Sequence, residues 1–339
     1  MNTFIECFTA DCLLRQYHEK IQPTHIFHKL VEHYADRISE ADLRSLYKQF
    51  DNVENALALS RRRELHSAEA IFERLAAQKM EYPEYIRNGM SSMIRAAVAY
   101  YEYACGRSEE AIELLEQAIG YAMTQSVNYP FILTGALEQW RNIVVVKMRK
   151  GDLNGALADM NALISFTLMG EISGMEVEER FQFDAGGVIC DRFWQMDAET
   201  HHLVLSNITR SAFNGALEYC NNDFMNAGNF FGRIIIEAAG AMQGRRVIQW
   251  AQSPIMLLHL YYSGEKERFQ EGIYERFDDI RQAAPSLQWL IISNYVVLCR
   301  ERGFDLESHP NYNRLFEAYS SMGFDCELLK PAAQENYSI

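Results

Sequence analysis

The sequence predicts an all-α protein built from helical hairpins. With 48% hydrophobic and 23% charged residues in 339, the chain has a globular composition rather than a disordered one. It contains only 7 prolines, and residues that favour helices are abundant. The two β-branched runs, 143–146 and 234–236, lie inside longer stretches that are compatible with helices. A hairpin pattern that recurs along the chain is the third observation, and it sets the predicted architecture.

Residues 1–51 are predicted to form an N-terminal helical cap. Within it, residues 24–38 place apolar side chains at helical spacing. Ser39 is then predicted to cap the next helix, with Glu40 and Asp42 in its first turn, where acidic side chains complement the helix dipole.

From residue 52 onward, a Gly or Asn turn residue is followed five positions later by a small or bulky apolar residue. The four pairs are Gly106 with Ala111, Gly151 with Ala156, Asn222 with Ala227, and Gly264 with Phe269. Gly and Asn tolerate the left-handed conformation that ends a helix, and a small residue five later lets the second helix approach the first. An earlier, weaker copy is aligned on Ala70. Because a helical hairpin buries only one face, the copies must stack on one another.

The spacing between turns is irregular. It is 45 residues from Gly106 to Gly151 and 71 from there to Asn222, so the longer interval is predicted to contain an extra helix within 175–196. This irregular insert, near 170–200, is rich in glycine and aromatic residues. A helix is predicted from Pro285 to Arg300, followed by a C-terminal helix and tail at 306–339.

The Tyr…Gly-x-[Leu/Phe]-x-x-Ala spacing resembles the tetratricopeptide repeat (TPR), over residues 55–165 and 200–305. The chain lacks the Trp and Leu-Gly of the family's first helix, and its periods exceed the family's 34 residues. The resemblance implies a right-handed superhelix of antiparallel helical hairpins, a TPR-like α-solenoid, over residues 52–305. It also implies a concave groove in which an Asn nine residues before the turn grips a peptide backbone.

Counting back nine residues from turns gives Asn142 and Asn294, with Asn214 displaced by one, and nearby cations add further contacts. The candidate groove residues are Asn142, Asn294, Arg95, Arg141, Lys147 and Asn214. An amide offers both a donor and an acceptor, which suits an extended backbone. The alternative, that these are merely polar positions on exposed helices, stays open at this point.

Charge and composition restrict the partners. The net charge of -14 argues against nucleic acid, because phosphate binding requires clustered cations. The apolar runs are too short to span a membrane, and the N-terminus lacks the features of a signal peptide. The seven scattered cysteines form no CxxC pair and indicate a reducing compartment, so we expect a cytoplasmic protein.

No nucleotide-binding or nucleophile-elbow motif is present, and no cofactor is predicted. The leading function is therefore a non-enzymatic protein- or peptide-binding module, such as a scaffold, a chaperone-like protein or a regulatory adaptor. The alternative is an α-helical enzyme or enzyme accessory with a metal or small-molecule pocket near 170–202. Asp197 and His201, four residues apart on a predicted helix, are its weak metal candidates. A homodimer is a third prediction, with the aromatic residues of 181–194 or the small-residue helix after Asn226 as its interface.

Overall fold

A computed structural model describes residues 39–78, 82–127, 130–172, 177–181, 187–196, 198–220, 224–283 and 285–302. These residues form fourteen α-helices and one short 3-10 turn, so the all-α prediction is confirmed for the described part of the chain. None of the helices in these ranges combines the length and the apolar character that crossing a bilayer requires.

The chain divides into two compact units, with the division between Val204 and Leu205. The helices of the first unit are α1 (Glu40–Arg61), α2 (Leu65–Ala77), α3 (Glu84–Ala104), α4 (Ser108–Ser126), α5 (Leu133–Lys150), α6 (Leu153–Met169), α7 (Val177–Arg180) and α8 (Val188–Gln195). Helix α9 (Ala198–Tyr219) runs through the division. The helices of the second unit are α10 (Phe224–Ala241), α11 (Gln249–Tyr262), α12 (Lys266–Glu275), α13 (Phe277–Gln282) and α14 (Pro285–Glu301).

Helix α1 begins where the sequence predicts. The Ser39 Oγ accepts a hydrogen bond from the Asp42 backbone N–H at 3.2 Å, which satisfies a donor that the first helical turn leaves open. The helix continues through residues 51 and 52, where the sequence places the boundary between cap and array. The cap and array assignments themselves stay predictions, and most of the predicted cap and the tail at 306–339 lie outside the described residues.

The predicted glycine turns are confirmed. Gly106, Gly151 and Gly264 have φ values of 84°, 89° and 83°, and each separates two consecutive helices. Asn222 lies outside the described residues. The residues five after the four predicted turns, Ala111, Ala156, Ala227 and Phe269, are no more than 2% exposed. The helix pairs at the three glycine turns therefore contact each other as the spacing requires.

The first hairpin uses a turn residue that the sequence pattern does not identify. Arg63 adopts a φ of 64° between α1 and α2, which is uncommon for a residue with a Cβ. Five residues later comes Ala68, which is fully buried, whereas Ala70 is exposed. The alignment on Ala70 was therefore wrong by two residues. The Arg63 guanidinium donates to the carbonyl oxygen of Ala104, at the end of α3, so this turn also contacts the next hairpin.

Successive hairpins of the first unit pack on one another. Helix α1 contacts both α2 and α3, and α4 packs against both α3 and α5. The buried core of α1 to α3 includes Val53, Phe72 and Tyr101. This packing fulfils the requirement that each hairpin buries its open face against a neighbour. The superhelical arrangement and the resemblance to the TPR stay predictions.

The irregular insert contains the helices α7 and α8, which confirms the expected extra helix. Its aromatic residues pack into the first unit: the Phe193 ring lies 5.2 Å from the ring of Phe166, and Phe181 meets Trp140 edge-on at 4.9 Å. Gly170 ends α6 with a φ of 74°, and a Cβ there would lie 2.7 Å from Phe193 Cδ1. Close contact with α8 therefore requires glycine at this position.

Tyr262 joins three helices of the second unit. Its ring lies against Gly232 of α10, and its hydroxyl accepts a hydrogen bond from the Asn294 Nδ2 of α14 at 3.1 Å. Burial raises the pKa of Tyr262 to about 12, although the Asn294 hydrogen bond acts in the opposite direction. The absence of a side chain at Gly232 therefore permits α11 to pack closely against α10.

We predict that the protein loses stability as the pH rises from 10 to 12. Burial raises the pKa of Tyr101, Tyr262 and Tyr274 to about 12, whereas an unfolded tyrosine ionises near 10. Between these values the unfolded chain binds fewer protons than the folded one, so the free energy of unfolding falls as the pH rises. Urea unfolding at several pH values checks this expectation. Tyr262→Phe should show a smaller loss over the same range, and an identical pH dependence in the two proteins would contradict the assignment.

Candidate functional site

Arg141 and Asn142, two of the predicted groove residues, lie together on α5. The Arg141 Nη2 donates to the Asn142 Oδ1 at 2.8 Å and lies 3.6 Å from the Glu138 carboxylate. The Asn142 Nδ2 donates to the Gln139 Oε1 at 3.0 Å. An amide nitrogen has two N–H groups, so this network leaves one of them for another acceptor.

Lys147, the third predicted residue on α5, is held by a buried carboxylate. Its Nζ donates to the Asp159 Oδ2 of α6 at 2.5 Å, and the Arg180 guanidinium of α7 binds the other oxygen. The Asp159 side chain is 3% exposed. Desolvation, and then the charge of Arg180, lower the pKa of Lys147. Arg180 also lies over the Trp140 ring, with its Cζ 5.9 Å from the ring centroid. Lys147 is therefore part of the packing between α5, α6 and α7.

Arg95 lies on the side of α3 that faces α4. Its Nε donates to the Gln117 Oε1 at 3.0 Å, and its Cζ lies 4.6 Å from the centroid of the Tyr121 ring. The contacts of Arg95 are with α4, whereas Arg141 and Asn142 contact each other and other residues of α5, so the structure does not bring Arg95 into that network.

Asn294 and Asn214 belong to the second unit. Asn294 is 4% exposed and its amide donates to Tyr262, so its observed contact is within the core. Asn214, on α9, is half-buried, and its Oδ1 has no hydrogen-bond partner among the described residues.

His201, the weak metal candidate, is 6% exposed. Its Nε2 lies 3.0 Å from the Phe193 carbonyl oxygen, so this nitrogen donates a hydrogen bond, and its ring packs on the Phe193 ring with the centroids 4.7 Å apart. Asp197 lies outside the described residues. In the ranges that the structure describes, no three His, Cys, Asp or Glu side chains are grouped so that they could hold a metal ion.

A row of two tyrosine side chains with an arginine at each end connects α1, α3 and α5 in the first unit. Arg61 of α1 lies over the Tyr100 ring of α3, with its Cζ 5.8 Å from the centroid. Tyr100 meets Tyr103 edge-on at 6.2 Å, and Arg149 of α5 lies over the Tyr103 ring, again at 5.8 Å. The arginines are exposed and the tyrosines half-buried. We name these four residues the Arg–Tyr row.

The second unit contains a cleft of about 520 Å³ between the end of α10, α11 and α12, which we name the α11–α12 cleft. Its floor is apolar and includes Met242, Met256, Leu257 and Leu260. One wall consists of charged side chains of α12 and the residue that follows it: Arg268, Glu271, Glu275 and Arg276.

Comparisons with protein-family models, with curated proteins and with solved structures find no match for the chain. Any proposal about function therefore depends on the geometry of the Arg–Tyr row and of the α11–α12 cleft. Neither was identified from the sequence. For the Arg–Tyr row a signal exists, because Arg61, Tyr103 and Arg149 all lie two or three residues before a hairpin turn.

Proposed function

We propose that the chain is a non-enzymatic binding module that holds a peptide or protein segment along α1, α3 and α5. The Arg–Tyr row is the observation that carries this proposal. It places side chains from three separate hairpins in one continuous line, which is the arrangement that a bound segment needs if it is to contact all three. Because the scattered cysteines indicate a reducing compartment, we place the module in the cytoplasm.

The chemistry of the row suits recognition. Neighbouring cations have carboxylate partners: Arg62 lies 3.0 Å from Glu64, and Lys150 pairs with Glu109. Among the described residues Arg61 has no such partner, and its guanidinium rests instead on the Tyr100 ring. Because a cation–π contact is not a hydrogen bond, the guanidinium N–H groups can still donate to an acceptor on a partner. Arg and Tyr are also the residue types that contribute most to protein interfaces.

Asn142 lies on the same face of α5 as Arg149. The two residues are seven apart, which corresponds to two helical turns. Since the Asn142 amide keeps one N–H for another acceptor, it supports the predicted contact with a peptide backbone. The proposed surface therefore consists of the Arg–Tyr row and Asn142, and it does not include Lys147, Arg95 or Asn294.

We predict that Arg61→Ala and Arg149→Ala each weaken the binding of peptides selected on the full chain by about tenfold, equivalent to about 1.4 kcal/mol. Asn142→Ala should weaken the same peptides. The ligands are selected from a random-peptide display library, and the affinities are then measured by calorimetry. Failure to select any peptide, or affinities of the Arg61→Ala and Arg149→Ala variants equal to that of the unmodified chain, would contradict the proposal.

Arg44→Ala is the matched control for this experiment. Arg44 is an arginine of the same helix as Arg61, its side chain is 73% exposed, and it pairs with Glu40 at 3.4 Å. Loss of an exposed pair of this type changes stability by about 1 kcal/mol at most. The variant therefore tests whether removal of any exposed arginine of α1 weakens peptide binding. Its affinity should equal that of the unmodified chain.

The alternative function, an enzyme or enzyme accessory with a pocket near 170–202, stays a prediction. In this region the described aromatic side chains pack on one another, and the His201 Nε2 is engaged by the Phe193 carbonyl. Measurement of bound Zn, Fe or Mn in the purified protein tests it, because metal lost on His201→Ala would favour this alternative. Sedimentation tests the predicted homodimer.

A further inference from the structure

The Arg–Tyr row offers hydrogen-bond donors to a partner and contains no carboxylate. A guanidinium group can only donate hydrogen bonds, and a phenol hydroxyl donates readily. The observed contacts of Tyr100 and Tyr103 are with rings and guanidinium groups, so their hydroxyls remain able to bond to a partner. A ligand that is complementary to the row must therefore supply acceptors.

The helix ends and turns around the row carry more cations than carboxylates. In the ranges 57–64, 100–110 and 146–152, the seven basic residues are Arg61, Arg62, Arg63, Arg107, Lys147, Arg149 and Lys150. The five acidic residues of the same ranges are Glu64, Glu102, Glu109, Glu110 and Asp152. Even without Lys147, which Asp159 binds, the basic residues outnumber the acidic ones. The surroundings of the row are thus positive in a chain whose net charge is -14.

Four of these five acidic side chains are already engaged within the chain. Three of them bind a neighbouring cation, in the pairs Arg62–Glu64, Arg107–Glu102 and Lys150–Glu109. The Asp152 carboxylate accepts a hydrogen bond from the Gly155 N–H at 3.0 Å. The fifth, Glu110, is an exposed residue of α4 and forms no ion pair with the row. Among the described residues, Arg61 is therefore left without a carboxylate.

We propose that the segment bound along the Arg–Tyr row is acidic, and that an Asp or Glu side chain of this segment binds Arg61. The inference rests on the proposed peptide-binding function and names the class of its ligand. A carboxylate accepts two parallel hydrogen bonds from a guanidinium, and its charge strengthens both. Backbone carbonyls of the same segment accept from the hydroxyls of Tyr100 and Tyr103, and the positive surroundings attract the segment as a whole.

The dimensions of the row suit one extended segment. The Arg61 Cζ lies 5.8 Å from the Tyr100 centroid, the two tyrosine centroids are 6.2 Å apart, and the Arg149 Cζ lies 5.8 Å from the Tyr103 centroid. Because an extended peptide rises about 3.3 Å per residue, a segment of a few residues reaches from one end of the row to the other.

Two versions of one peptide test the charge. Peptides are selected from a random-peptide display library on the full chain, and each Asp and Glu of the tightest binder is then replaced by Asn or Gln. Calorimetry should show that the amide version binds at least about tenfold more weakly. Equal affinities of the two versions would overturn the inference, as would a tightest binder that contains neither Asp nor Glu.

These outcomes are distinguishable from failure of the proposed function. If a peptide without acidic residues still loses affinity on Arg61→Ala, the binding surface is correct and only the class of ligand is wrong. If no peptide can be selected, both the proposed function and this inference fail.

Charge reversal locates the carboxylate. Arg61→Glu should weaken the acidic peptide by more than about tenfold and change the affinity of the amide version by less than about threefold. Arg44→Glu is the matched control, because it changes the net charge equally on the same helix, at a side chain that is 73% exposed. It should leave both affinities unchanged. Equal losses in the two variants would show that net charge, and not the row, attracts the peptide, and would overturn the inference.

A single-stranded oligonucleotide is the competing polyanion. It should not displace the acidic peptide at equal concentration, because the chain's net charge of -14 repels a polymer of phosphates. Fluorescence anisotropy of the labelled acidic peptide measures the competition on the full chain. Displacement by the oligonucleotide at equal or lower concentration would overturn the assignment to a peptide carboxylate.

Discussion

Asp159→Asn should destabilise the protein by about 3 kcal/mol, the largest effect that we expect from a single substitution. The Asp159 carboxylate is 3% exposed and is bound by Lys147 of α5 and Arg180 of α7. Removing its charge leaves two partly desolvated cations close together without an anion between them, and like charges in a medium of low dielectric repel strongly. Urea unfolding of the two proteins at neutral pH measures the difference.

Two further variants separate this cause from the general loss of an ion pair. Glu265→Gln breaks the exposed pair with Arg268, whose side chain is 69% exposed, and should cost no more than about 1 kcal/mol. Lys147→Met removes one of the two cations and leaves Asp159 paired with Arg180, so it should cost less than Asp159→Asn. If Asp159→Asn proves no more damaging than Glu265→Gln, the buried cluster does not hold α5, α6 and α7 together.

Gly232→Ala should destabilise the second unit by about 1–3 kcal/mol, although alanine is normally the better helix former. A Cβ at this position would lie 2.5 Å from the Tyr262 Cγ and 2.9 Å from its Cβ. These atoms are close to the backbone of α11 and cannot move away by rotation of a side-chain end. The Asn294 hydrogen bond further holds the tyrosine in place. Thermal unfolding followed by circular dichroism measures the effect.

The same helix supplies the controls. A Cβ added at Gly228 would lie at an ordinary contact distance of 3.9 Å from Tyr262 Cε1, and one added at Gly240 would have nothing within 4 Å. Alanine at either position should therefore stabilise by up to about 1 kcal/mol. In a Tyr262→Ala background, Gly232→Ala should also become stabilising. A destabilisation that persists in this background would show that the contact with Tyr262 is not the reason for glycine.

The helix ends and turns of this protein could be predicted from the sequence because the signals for them are local. The Ser39 cap, the glycine turns, the buried alanines five residues later and the start of α14 at Pro285 each depend on a few neighbouring residues. The turn at Arg63 was missed because the pattern sought Gly or Asn. Nothing in the local sequence shows that an arginine adopts a left-handed conformation here and binds the carbonyl oxygen of Ala104.

The two surfaces depend on which helices are neighbours, and spacing along one helix does not reveal this. The sequence predicts Lys147 as a cation of the groove because Asp159, the residue that binds it, resembles an ordinary acidic residue of an exposed helix. Arg61 and Arg149 are 88 residues apart, and only their contacts with Tyr100 and Tyr103 of α3 bring them into one row.

The bond between Arg63 and Ala104 has a consequence for how the first unit unfolds. The residue that closes the first hairpin also satisfies a carbonyl at the end of α3, in the second hairpin. The backbone strain at Arg63 is thus offset only while both hairpins are intact. If either hairpin opens, the hydrogen bond between Arg63 and Ala104 is lost to the other, so the free energies of unfolding of the two hairpins are coupled. The first hairpin should therefore exchange its amide hydrogens together with the second, as one cooperative segment, and not fray as an independent end of the chain.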